Sequence, residues 1–247
     1  MIDRITPCRR PPGIALMHQQ WRELAFLHWE LPVEALRAVV PPPLSIDTFE
    51  GKAYLGLVPF TIRGIRPPGL PPLPWLSGFH EVNVRTYVHL RDQHPGVFFF
   101  SLDAARLLAV WGARWTYRLP YFHAQMGFQI SGPEHTFRSV RRRNPGARCE
   151  LRWTVHPTTP RTASPGSLEH FLLERYLLYA EKNGRLSRAQ VHHSPYPINE
   201  ATVGPVQEGL IAEAGLVRPD RPPDLVHASG GVDVEVFAPE VLPTSGG

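Results

Sequence analysis

Glu81, Asn83 and Arg85 are spaced two residues apart in the run F-H-E-V-N-V-R-T-Y-V from Phe79 to Val88. An extended chain sends alternate side chains to opposite faces, so an acid, an amide and a guanidinium share one face with Tyr87 and His89. Val82, Val84, Thr86 and Val88 take the other face. A carboxyl group there can serve as general acid or base. The fixed donor fork of an arginine suits a planar carboxylate, and the amide can orient what lies between them. Further along, Arg114, Tyr117, Arg118 and Tyr121 lead into a proline-bounded turn and add two more guanidiniums and two phenols.

A hairpin must position these groups. Asp92-Gln-His-Pro-Gly96 is a turn signal, and Val97 to Leu102 reads as the return strand. Folding about that turn places Arg85 near Ser101 and Asn83 near Asp103, so both return-strand residues join the candidate binding set. A slip of one residue would send them to the opposite face. Asp103 also reads as the N-cap of a helix over Ala104 to Trp111, ended by Gly112. A polar strand face is the ordinary state of a half-buried strand facing solvent, and becomes a site when it lines an enclosed space. If Arg85 or Arg114 is buried, it needs an anion. Glu81, Asp103, Glu174 or a bound acid could supply it, and the sequence leaves that open.

The remaining chain reads as many short strands with few helices. Leu24 to Trp29 suits a buried strand, and Val33 to Val40 a short helix stopped by Pro41-Pro-Pro43. Leu44 to Phe49, the turn Glu50-Gly-Lys52 and Ala53 to Arg63 form a hairpin. The proline-rich stretch Gly64 to Gly78 directly precedes the central strand, where it can cover what that strand binds. Strands follow at His123 to Ser131, Thr136 to Arg143, Ala147 to Val155, Arg188 to His193 and Val226 to Val236. Helices are expected over Leu168 to Lys182, capped by Ser167, and over Val206 to Ala214. Nine or ten strands, 28 prolines and no internal repeat argue for one antiparallel barrel-like domain over residues 16–240, preceded by a flexible arm over residues 1–15.

Composition narrows the function. The net charge is +4, too mild to argue for nucleic acid, and the basic run Arg138, Arg141, Arg142, Arg143, Arg148 reads as a solvated hairpin without interleaved aromatics. The expected partner is a small-molecule ligand, not nucleic acid or membrane, with homo-oligomerisation left open. Cys8 and Cys149 make no disulfide framework, and neither a leader nor a membrane span is evident, so a cytoplasmic protein is expected. Hydrolase elbow, phosphate-loop and zinc motifs are absent. His192-His193 would face opposite ways in a strand, so no metal and no cofactor are expected. The only lysines are Lys52, on a hairpin tip, and Lys182, at the end of the expected helix.

Several segments together resemble the YqjF-like family of uncharacterised proteins. They are Phe-Leu-His-Trp29, Asp47-Thr-Phe-Glu-Gly51, Gly56-Leu-Val-Pro-Phe60, Phe79 to Val88, Phe100-Ser-Leu-Asp-Ala104, Leu119-Pro-Tyr121, Glu174-Arg-Tyr176 and Ala228-Ser-Gly-Gly-Val232. The resemblance runs from about Trp21 to Phe237 and places the chain in the acetoacetate decarboxylase-like superfamily. It implies a mainly β protein with a few short helices, a closed antiparallel β-barrel or cone around a central cavity. In the decarboxylases a cavity lysine forms a Schiff base with a β-keto acid, helped by Glu and Arg. At the comparable place this chain has Arg118-Leu-Pro-Tyr121 and no lysine. A phenol cannot form an iminium, so Schiff-base decarboxylation is not expected.

Two functions remain. In one, the barrel binds a small, anionic, oxo-acid-like molecule, with lyase-like or acid–base chemistry. Glu81 is then the acid–base residue, Tyr121 a proton or hydrogen-bond donor, and Arg85 and Arg114 the groups holding a carboxylate or enolate. Asn83, Ser101 and Asp103 complete the binding set. In the other, the chain is a non-catalytic ligand-binding or protein-interaction module whose Glu and Arg are structural.

Overall fold

The strand carrying the candidate residues, Phe79–Leu90, is buried along both faces. In this computed structural model, which describes residues 2–72, 78–106 and 121–242, it is the fourth of fourteen strands in one continuous sheet. It is called β4. Its hairpin partner β5 (Gln93–Ala104) returns through a tighter turn than expected: Leu90 pairs with Gln93, and Arg91 and Asp92 both take positive φ, 52° and 57°. That is the twist-matched two-residue reversal favoured in hairpins.

β1 (Met17–Leu31), β3 (Ala53–Arg66) and β13 (Leu225–Val236) extend this pair into a wall, in the order β13-β1-β3-β4-β5. Both outer strands of the wall fork. Near Val97 and Phe98, β5 pairs in parallel with β9 (Leu177–Lys182), whereas Leu102 to Ala104 pair with β6 (Tyr121–Ser131). On β13, Val236 and Glu235 pair with β10 (Arg185–His192), whereas His227 to Ser229 pair with β11 (Ile198–Val203). The change of partner on β13 comes at Gly230-Gly231. Gly231 sits at φ 122°, and a Cβ there would lie 2.0 Å from the Trp21 carbonyl oxygen, so only glycine fits.

The forks close two circuits of strands on one shared wall. One runs from β5 through β9 and β10 to β13. The other runs from β5 through β6, β7 (Glu134–Arg141), β8 (Arg148–Val155) and β11 to β13. The result is a mainly β, cone-like ring of strands. β2 (Ser45–Ile46) edges β4, β12 (Gln207–Glu208) lies on β8, and β14 (Glu240–Val241) on β10. Each circuit encloses its own apolar cluster. The first holds Phe26, Phe60, Phe79, Tyr87, Phe99, Leu102 and Tyr176, and the second Leu27, Trp29, Leu57, Val82, Val84, Phe137 and Leu151. Period-two alternation along β1, β3 and β4 divides the wall between them.

Among the described residues helices are few and short. α1 (Val33–Arg37) stands where expected. The expected helix from Leu168 to Lys182 is α2 (Leu168–Leu173) followed by β9. Ser167 does cap it, accepting from the His170 N–H at 3.1 Å, but Glu174 leaves helical conformation and Leu177 onward pairs with β5 and β10. The Leu-Leu-Tyr-Ala pattern fits either period, and pairing on both edges decides it. Lys182 therefore ends a strand. Likewise Val206 to Ala214 holds β12 and the single turn α3 (Leu210–Glu213). Ala104 belongs to β5, so Asp103 sits in a strand and caps no helix; residues 107–120 lie outside the described residues. The N-terminal segment makes side-chain contacts with the sheet, through Arg4 to Asp47 and Arg10 to Glu235.

Candidate functional site

Glu81, Asn83 and Arg85 all face the first circuit's interior. Glu81 is only 2% exposed and accepts a hydrogen bond of 2.7 Å from the Tyr121 hydroxyl. Burial pushes its pKa up to about 8, against the opposing pull of that hydrogen bond and with a further push from Asp103. At neutral pH it is a neutral acid able to give a proton. Asn83, one inward position further, is buried with its Oδ1 unpartnered.

Arg85 is next, 9% exposed, with its guanidinium 5.6 Å from the Phe26 ring centroid. Its Nη2 reaches the Leu172 carbonyl at a long 3.4 Å, and its Nε has no partner. Each carboxylate that could neutralise it is engaged elsewhere. Glu81 holds Tyr121, Glu174 accepts from the Tyr176 hydroxyl at 2.7 Å and the Tyr196 N–H at 3.0 Å, and Asp103 is taken by Arg141. Among the described residues Arg85 has no ion pair, and residues 73–77 and 107–120 contain no Asp or Glu. The space for its side chain comes from a neighbour: His28, Gly56 and Arg85 are directly opposite one another on β1, β3 and β4. A Cβ on Gly56 would lie 3.2 Å from Arg85 Cγ and 3.4 Å from His28 Cδ2, so the missing side chain lets both lie over it.

Ser101 and Asp103 do not join this set. β5 bulges between the pairs Val84–Ser101 and Arg85–Phe99, and Asp103 stands opposite Val82. The register is offset by one residue from the expected one, which turns both side chains into the second interior. There Asp103 takes Arg141 in a forked pair, with Nε 2.8 Å and Nη2 2.8 Å away, and the guanidinium stacks 3.8 Å from the Phe122 ring. Burial raises the Asp103 pKa against the pull of Arg141. Arg141 thus leaves the solvated basic run, whereas Arg138 in that run pairs with Glu150 at the surface. Arg114 lies outside the described residues.

Sequence reasoning missed three polar side chains of the first interior. His28 is fully buried, with Nε2 2.7 Å from the Tyr87 hydroxyl, which donates to the Leu172 carbonyl at 2.8 Å. For Tyr87 the alternation of the strand gives only a place on the polar face. His227, opposite Phe26, reaches Glu169 at 3.4 Å. Tyr196 packs on Phe26 and on His193, which also stacks at 4.3 Å on Tyr176. The available signal was a histidine two positions after Phe26 in an otherwise apolar strand. Lys52 pairs with Glu30 at 2.9 Å on its exposed hairpin, and Lys182 is exposed, so neither reaches this interior. No group of potential metal ligands occurs among the described residues, and no helix there is long and apolar enough to cross a membrane.

This architecture is the acetoacetate decarboxylase-like fold. The chain superposes on the enduracididine biosynthesis enzyme MppR complexed with pyruvate with a TM-score of 0.62 at 13% identity, covering 95% of this chain and 92% of that one. An acetoacetate decarboxylase-like enzyme from Sphingomonas wittichii RW1 gives 0.60 at 12%, over 93% and 94%. Acetoacetate decarboxylase from Legionella pneumophila gives 0.59 at 11%, over 95% and 92%. Within that fold the chain belongs to the DUF2071 family, described as an uncharacterized conserved protein, which it matches over residues 18–233. It is 36% identical over 225 residues to the uncharacterized protein YqjF of Bacillus subtilis (strain 168), covering 91% of each chain.

Proposed function

We propose that the first interior binds a small carboxylate-bearing molecule related to the oxo acids. Arg85 pairs with its carboxylate, Asn83 orients it, and Glu81 with Tyr121 faces its reacting end. The supporting observation is a buried guanidinium whose nearby carboxylates all have other partners. Buried charges are ordinarily paired, and a buried cation without an anion is a place where a ligand anion gains most. The MppR structure with pyruvate is consistent with a ligand of this size in this fold. Any chemistry runs through acid–base steps. A neutral Glu81 can protonate an enolate or a leaving oxygen whose charge Arg85 offsets. Arg114 is proposed as a second carboxylate holder.

Thermal shift with pyruvate, acetoacetate, lactate and 3-hydroxybutyrate tests this reading. At least one acid should raise the melting temperature of the wild type in proportion to affinity and concentration, and none should do so for Arg85→Met. Equal shifts in both proteins would refute the assignment of Arg85. Borohydride treatment in the presence of acetoacetate should leave the protein mass unchanged, since neither lysine reaches this interior. Glu81→Gln separates the two functional readings: retained acid binding with lost turnover makes Glu81 catalytic, and unchanged behaviour leaves a binding module.

A further inference from the structure

His28 carries a proton whose position the hydrogen bonds determine. The Tyr87 hydroxyl is 2.8 Å from the Leu172 carbonyl oxygen, which can only accept, so Tyr87 spends its single proton there. The Tyr87 oxygen then accepts from His28 Nε2 at 2.7 Å. His28 Nδ1 is left as a bare lone pair. Burial, aided by Arg85 and His227, holds the ring's pKa well below the ordinary histidine value, so the ring is neutral. That nitrogen is buried and has no partner.

Unsatisfied groups of two kinds therefore stand on one cross-strand row, with the Cδ2 edge of His28 and the Nε of Arg85 both turned toward Gly56. Arg85 offers an unpartnered Nε–H and a positive charge, and His28, across Gly56, offers an unpartnered acceptor. Asn83 Oδ1 and His227 Nδ1 are also unpartnered acceptors. Leaving buried polar atoms unmatched is costly, and such groups call for a specific explanation. A plain keto acid brings only acceptors, its carboxylate and carbonyl oxygens. It can satisfy Arg85 and leaves His28 Nδ1 bare. A hydroxyl close to the carboxylate would satisfy both.

The geometry points to a hydroxy acid as the preferred ligand, its carboxylate on Arg85 and its hydroxyl donating to His28 Nδ1. This rests on the Arg85 reading above and adds a specificity residue and a narrower ligand class to it. A site built to accept from a hydroxyl discriminates strongly against the analogue lacking that donor.

The test is titration calorimetry on the full chain with two matched pairs, lactate with pyruvate and 3-hydroxybutyrate with acetoacetate. In at least one pair the hydroxy acid should bind about ten- to hundred-fold more tightly than its keto partner. Arg85→Met should abolish binding of both members, and His28→Phe should remove the preference. Because His28→Phe also unhooks Tyr87, imidazole 15N NMR of the wild type supplies an independent readout. Nδ1 should resonate as an unprotonated nitrogen in the free protein and shift with the hydroxy acid but not the keto acid. Equal or keto-preferring binding that still depends on Arg85 would overturn this inference and leave the anion site standing. So would a protonated Nδ1. If no acid binds in an Arg85-dependent way, the anion site fails and this inference fails with it.

Discussion

Two buried arginines on opposite sides of the shared wall, Arg141 in the second interior and Arg85 in the first, are held in opposite ways, whereas a third, Arg175, stacks on Phe171 of the first and pairs with Asp47 at 3.0 Å. In the second interior Arg141 is clamped by Asp103 through hydrogen bonds of 2.8 to 3.0 Å and covered by Phe122. In the first, Arg85 lies against Phe26 with an unpartnered Nε and no carboxylate among the described residues. Both belong to one sheet and are excluded from water to a similar degree. A paired charge fixes structure, whereas one without an ion pair makes the fold carry a desolvation cost that its carbonyl and ring contacts offset only in part.

The largest expected effect breaks the paired side. Asp103→Ala leaves Arg141 buried without its clamp and should cost about 3–5 kcal/mol in urea denaturation. Arg85→Met, measured the same way without ligand, should leave stability unchanged or raise it, since it replaces an unpaired charge by an apolar side chain of similar length. Comparable losses in the two variants would end the contrast between the interiors.

A pH titration of stability comes next. Glu81 has a folded-state pKa of about 8 against an ordinary value of 4.5, so between these values the folded chain holds a proton that the unfolded chain has released. Stability should fall as pH rises through this window, by up to about 1.4 kcal/mol per pH unit, and level off above it. Glu81→Gln should remove that part of the slope while other buried acids keep theirs. An identical slope in the variant would show that Glu81 ionises freely in the folded state.

Smaller effects sharpen the geometry. Gly56→Ala places a methyl group against Arg85 and His28 and should cost about 1–3 kcal/mol while weakening acid binding. Tyr121→Phe removes the hydrogen bond to Glu81 and should cost about 1 kcal/mol, with the Glu81 pKa moving higher still. Stability and ligand titrations on each variant check both.

Much of the β4 face was legible because period-two alternation is local: Glu81, Asn83 and Arg85 do share an interior. The return strand was not. One bulge after Phe99 turned Ser101 and Asp103 to the opposite side, and no feature of Val97 to Asp103 announces it. Leu177 to Lys182 reads as helix because its apolar spacing fits both periods, but pairing with β5 and β10 selects the strand.

By itself, the sequence determined the alternation of β4, the reversal at Glu50-Gly51 and a chain with only two lysines, Lys52 and Lys182. These depend on residue identity and near neighbours. Tertiary structure alone decided which face of the wall meets which interior, that Asp103 belongs to Arg141 and that Arg85 has no ion pair among the described residues. Those outcomes depend on forks, a bulge and cross-strand partners brought together from distant parts of the chain, and such contacts leave no periodic trace in the residues that make them.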